Sequence, residues 1–237
     1  MNLIVSGCSF TYWIYKTWAD YTADYFGYNL IQQGHPGAGN TYIRRSITDY
    51  IIQNDSTPTN TLVMVMWSGL SRLGLEVSRN FVDLSKNFMR DTKNINKMFF
   101  VESGGMHGHW HDNPYTKNYF NNLYKLTDKD TYLNNTIDSI IMLKAFLEYK
   151  GIPYYFMSHC DTFTTEEEWI KDDYTAKGCD PYYDCSRLID DHWIFNNNDS
   201  IYSFAKKING FSEDNYHPST ETHEKFFTEA ILPRLTK

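Results

Sequence analysis

Asn2-Leu3-Ile4-Val5-Ser6-Gly7-Cys8-Ser9-Phe10-Thr11 is the stretch on which the reading of the fold turns. Its apolar run is too short for a helix, and its branched residues suit the pleated surface of a buried strand. The run stops at Gly7, and a serine follows almost at once. A strand that ends in a glycine turn delivers its next residues to the carboxyl edge of the sheet, where open parallel sheets bind ligands. Ser9 then faces a crevice, either as a nucleophile or as part of a plain corner.

Working outward, similar short runs recur at Tyr28–Gln32, Thr61–Trp67 and Pro153–Ser158. Helical patterns lie between and after them. Trp18–Tyr25 is one. Asn40–Gln53 places Ile43, Ile47, Tyr50 and Ile51 on one face, and Thr131–Tyr149 does the same with Ile137, Ile140, Ile141, Leu143 and Leu147. A last helix, from about Ser219 to Leu235, starts behind Pro218 and turns Phe226, Phe227, Ala230 and Ile231 inward. Strands alternating with helices predict an α/β protein: a three-layer αβα, flavodoxin-like fold around a parallel sheet of about five strands. The 237 residues fit a single domain, 1–237, with insertions at about 74–129 and 161–213 that would form a lid or a substrate-binding region.

Composition narrows the chemistry. The net charge is −7 and the lysines and arginines are scattered, which disfavours a nucleic acid partner. The first strand begins at the start of the sequence, and no run approaches the roughly 18 apolar residues of a membrane span. The expectation is a soluble chain, cytoplasmic or virion-associated, with no membrane partner. Cys8, Cys160, Cys179 and Cys185 lack both the density of a disulfide scaffold and paired metal spacing, so reduced thiols are expected.

A serine needs an imidazole to take its proton, and the imidazole needs a third group to orient it. Asp214 and His217, in Asp214-Asn215-Tyr216-His217-Pro218, stand three residues apart just before the last helix. One loop can therefore present both side chains to the crevice. A rival cluster lies in Met106-His107-Gly108-His109-Trp110-His111-Asp112, where His107, His109 and His111 would point the same way on an extended segment and could hold a metal. No second cluster completes that shell by its spacing, so no metal and no other cofactor is expected.

With both ends of the chain in view, the sequence resembles the SGNH hydrolases, also called the GDSL esterase and lipase superfamily. Gly7-Cys8-Ser9-Phe10-Thr11 is similar to that family's first block, with Cys8 in place of the usual aspartate, and Asp214-x-x-His217-Pro218 matches its last. The resemblance implies Ser9 as nucleophile, His217 as base and Asp214 as the residue that orients it. Gln33-Gly34-His35-Pro36-Gly37-Ala38-Gly39-Asn40 stands for the second block, and its Gly37 implies a backbone N–H that joins the amide of Ser9 in an oxyanion hole. The third block, normally Gly-x-Asn-Asp, departs from the pattern. Trp67-Ser68-Gly69-Leu70-Ser71-Arg72 contains no asparagine, and an oxyanion donor is commonly worth about 3 kcal/mol. Ser68, an amide near Gly69, Arg72 and Asn40 are the candidate replacements. Asn40 is favoured for its uncharged amide near Gly37, although it would equally serve as a helix cap. Trp67, Ser68 and Arg72 are the candidate substrate contacts.

The resemblance implies a serine esterase. The absence of an apolar lid and the aromatic- and Asn-rich insertions point toward a short acyl group, such as acetyl, on a carbohydrate or small molecule. The chain is also similar in composition to phage-encoded members of the family. The alternatives are a non-catalytic carbohydrate-binding or structural module on the same fold, and a metal-dependent hydrolase using the histidine cluster.

Overall fold

The computed structural model describes residues 1–77, 99–102, 114–160, 162–163, 187–195, 200–213 and 216–236. Strand β1 (Asn2–Ser6) is followed by helix α1 (Trp18–Phe26), β2 (Asn29–Gln32), α2 (Asn40–Gln53) and β3 (Thr61–Trp67). A short pair, β4 (Gly74–Val77) and β5 (Phe99–Glu102), comes next, and then α3 (Pro114–Leu126), α4 (Lys129–Lys150) and β6 (Tyr154–Ser158). The chain closes with α5 (Ile201–Lys207), α6 (Thr220–Phe226), a π-helical turn at Phe227–Ile231 and α7 (Leu232–Leu235).

Four strands form one parallel sheet in the order β2-β1-β3-β6. The expected fifth strand is reduced, among the described residues, to a single parallel bridge. Phe156 donates its N–H to His192 O at 2.8 Å and accepts from Ile194 N at 2.9 Å, which seats Trp193 beside β6. The two-residue period of a strand sends its side chains alternately to the two faces. Ile4, Val63, Val65, Tyr154 and Phe156 meet α2 and α4 on one side. Leu3, Val5, Met64, Met66 and Met157 meet α1, α6 and the π turn on the other. Both faces are thus covered, as a parallel sheet requires, and the result is the three-layer αβα architecture.

Helix α2 coincides with the periodic stretch read from sequence and buries Ile43, Ile47 and Ile51 at helical spacing. The final helix differs from the single rod expected. Pro233 has no N–H to return to the carbonyl of Glu229, and the ladder widens into the π turn immediately before it. The insertion at 74–129 carries more regular structure than expected. Its described parts are the antiparallel β4–β5 pair and the amphipathic α3, which buries Thr116 and Phe120. The insertion at 161–213 likewise contains α5, whose N-cap Ser200 accepts from Ser203 N at 3.1 Å. No helix among the described residues is long and apolar enough to cross a membrane.

Candidate active site

Gly7 opens the site because nothing larger fits there. A Cβ at this position would overlap Thr11 Oγ1 and lie 2.9 Å from the carbonyl oxygen of Met66, on the neighbouring strand. The chain turns at once: Thr11 N and Tyr12 N both donate to Cys8 O, at 2.9 and 3.2 Å. Cys8 points into the core and is fully buried. Its successor, Ser9, instead meets a side chain from the other end of the chain. The loop after β2 is tied to the same turn, with His35 N donating to Gly7 O at 3.0 Å.

At the far end of the chain, residues 210–212 lie against residues 217–219. Ser212 N donates to His217 O and Ser219 N to Gly210 O, both at 2.8 Å, around an antiparallel bridge between Phe211 and Pro218. This clasp sets His217 at its base. Tyr15, from the loop that follows Ser9, donates its hydroxyl to Pro218 O at 2.7 Å. The two loops are therefore stitched together although more than 200 residues separate them.

Ser9 Oγ stands 3.0 Å from His217 Nε2. The serine is only 6% exposed, and the imidazole is half-buried. Trp13 lies face to face with the imidazole, ring centroids 4.1 Å apart and planes 18° from parallel, while Phe10 meets it edge to face at 5.5 Å. Asp214, which the resemblance makes the orienting acid, lies outside the described residues, as do His107, His109 and His111. Among the described residues no group of three or more His, Cys, Asp or Glu side chains could hold a metal ion.

Gly37 has φ of +82°, a conformation that side-chain-bearing residues rarely adopt. Among the described residues, the amides of Ser9 and Gly37 donate no hydrogen bond within the protein. Asn40 is otherwise engaged. Its Oδ1 accepts from Ser68 N at 2.8 Å, and its Nδ2 donates to Ser68 O at 3.1 Å and to Thr136 Oγ1 at 2.9 Å. Gly39 holds the N-cap position of α2, so Asn40 is not the cap either. It clasps the loop after β3 onto α2 and α4.

That loop contains the remaining sequence candidates. Ser68 is fully buried, and its Oγ accepts a hydrogen bond from Arg72 Nη1 at 3.1 Å. Trp67 requires a correction. It was expected at the crevice as a substrate contact, but it is fully buried in the core beneath α2 and α4, edge to face with Phe156 at 5.4 Å. As the last residue of β3, its side chain follows the strand's alternation inward.

Two further residues, His159 and Trp13, also belong here. His159 is the first residue beyond β6 and is buried at 3% exposure, with Phe10 edge to face at 5.3 Å. Burial first, then the positive charge of Arg72 and more weakly that of His217, hold its pKa well below the ordinary histidine value, against a smaller opposing effect of the Trp67 backbone. His159 was findable by the logic that found Ser9, since it too ends an apolar strand at the carboxyl edge. Trp13 had no such signal, because no periodicity marks a residue in an irregular loop.

Fold and site together define an α/β protein with a serine–histidine pair at the carboxyl edge of a parallel sheet. No protein-family model and no curated protein matches the chain.

Proposed function

We propose that the chain is a serine esterase that hydrolyses a short-chain acyl ester, with an acetyl group on a carbohydrate as the leading substrate class. One observation carries this reading: the 3.0 Å contact between Ser9 Oγ and His217 Nε2 at the edge where parallel sheets bind ligands. In this mechanism Ser9 Oγ attacks the acyl carbonyl as its proton passes to Nε2. The amides of Ser9 and Gly37 receive the oxyanion. Collapse of the tetrahedral intermediate expels the alcohol, which takes the proton from His217, and water repeats the cycle on the acyl-enzyme. Asp214 keeps the orienting role that the family resemblance implies. Asn40 serves in this reading as a brace for the Ser68 loop, because both of its amide hydrogens are already used.

The carbohydrate preference rests on the Asn- and aromatic-rich insertions at 74–129 and 161–213, whose composition suits stacking on and hydrogen bonding to sugars. The missing asparagine after β3 supports the second reading, a binding module that has kept the fold without the chemistry. A fluorophosphonate probe separates the two, since only an activated serine reacts. The wild-type chain should label at Ser9 and hydrolyse p-nitrophenyl acetate, and Ser9→Ala and His217→Ala should each lose about 10³-fold or more in kcat/KM. Hydrolysis that persists in purified Ser9→Ala would overturn the esterase mechanism.

A further inference from the structure

Only one group in the described site lies flat against the base. The Trp13 indole is at contact distance from the His217 ring, 4.1 Å between centroids, with the planes within 18° of each other. Tyr15, two residues on, hydrogen bonds to Pro218, so the backbone carrying the indole is anchored to the loop carrying the imidazole. Phe10 approaches the same ring at 64°, and Ser9 Oγ meets its Nε2. The imidazole therefore sits in a slot with an aromatic floor and an aromatic side.

We propose that Trp13 is a positioning residue for His217: its indole face fixes the plane of the imidazole and stabilises the cationic ring formed when His217 takes the Ser9 proton. This rests on the reading of Ser9 and His217 as a catalytic pair. The physical basis is twofold. A stacked neighbour removes rotation about the Cβ–Cγ bond, which would otherwise carry Nε2 away from Ser9. The electron-rich face of an indole, the strongest of the aromatic side chains in this respect, attracts a cation within about 6 Å of its centroid. Neutral imidazole gains little from that attraction. The benefit falls on the transition state and appears in kcat.

Among the described residues, two histidines sense the charge of His217, and neither titrates near the ordinary histidine value. His159 and His223 both sense its charge, but burial holds both pKa values far below the ordinary histidine value. Arg72 keeps its charge throughout. Asp214, on the same loop, is present in every variant compared.

The test uses the full chain as wild type, Trp13→Leu and Trp13→Phe. The His217 ring is titrated by NMR of its imidazole carbon-bound protons, and kcat and KM are measured on p-nitrophenyl acetate. Trp13→Leu should lower the titration midpoint by about 0.5 to 1 pH unit and kcat by about 10-fold, with KM within about 2-fold of wild type. Trp13→Phe, which keeps an aromatic face and is the milder change for folding, should restore most of both. A midpoint that stays or rises in Trp13→Leu would overturn the proposal. So would an effect confined to KM, which would make Trp13 a platform for substrate. If the wild-type chain fails to label at Ser9, the esterase reading falls and the titration alone decides: a lowered midpoint upholds the hold of Trp13 on the imidazole, an unmoved one refutes it.

Discussion

Asn40 illustrates how one side chain changes meaning once its neighbours are known. Near Gly37, with the usual asparagine missing after β3, its amide suited an oxyanion. In the fold the same amide bridges both backbone groups of Ser68 and reaches Thr136 on α4. It is 4% exposed, so removing it leaves a buried N–H and a buried C=O without partners. Each such group costs about 1 to 3 kcal/mol. Asn40→Ala is therefore expected to lower the urea-unfolding free energy by about 2 to 6 kcal/mol, and its loss of activity should be regained at low temperature, where the loop stays folded. A large fall in kcat with unchanged stability would return Asn40 to the oxyanion.

At the scale of elements, the junction between α1 and α6 carries a pH dependence. The first N–H groups of a helix have no partner within it. In α1 one of these, Trp18 N, donates at 3.3 Å to Nδ1 of His223, which projects from α6. The acceptor must be an unprotonated nitrogen. Burial chiefly, with a smaller contribution from the charge of His217, pushes the His223 pKa down to about 3. The unfolded chain takes up this proton near the ordinary value of 6.5, so the stability His223 contributes is present in full above that pH. It is lost as pH falls toward 3. His159 acts in the same direction. Urea unfolding of the wild type should weaken from pH 7 to 4.5, and His223→Gln should flatten that slope by up to about 1.4 kcal/mol per pH unit. Parallel slopes for the two proteins would show that His223 does not titrate in this way.

For the whole molecule, the decisive feature is that the two halves of the site come from the two ends of the chain and share one core. Trp18 and Ala19 of α1, Phe226 and Ile231 beyond the His217 loop, and Leu3 and Val5 of β1 are buried in a single cluster. The Ser9 loop and the His217 loop are extensions of that cluster, joined again through Tyr15 and Pro218. The site should then persist until the domain unfolds. Fluorophosphonate labelling of Ser9 in increasing urea is expected to fall with the same midpoint as the far-ultraviolet circular dichroism. Labelling lost at markedly lower urea would mean that the loops open independently of the core.

The amino-acid sequence by itself determined the layered α/β plan, because the apolar periods of two and 3.6 residues are local properties. They placed β1, β3 and α2 where the fold has them, and the run-and-turn at Gly7 put Ser9 at the correct edge. The family resemblance at the two ends of the chain implied the pairing of Ser9 with His217, which the fold brings within hydrogen-bond reach. What lay beyond local pattern was left to tertiary structure. The inward turn of Trp67, the burial of His159, the stacking of Trp13 and the clasp of Asn40 each depend on which side chains from distant segments fill the same space. Among the described residues, the single bridge at Trp193 that stands for the fifth strand has the same origin. Periodicity states which face a residue occupies, while only packing decides what it meets there.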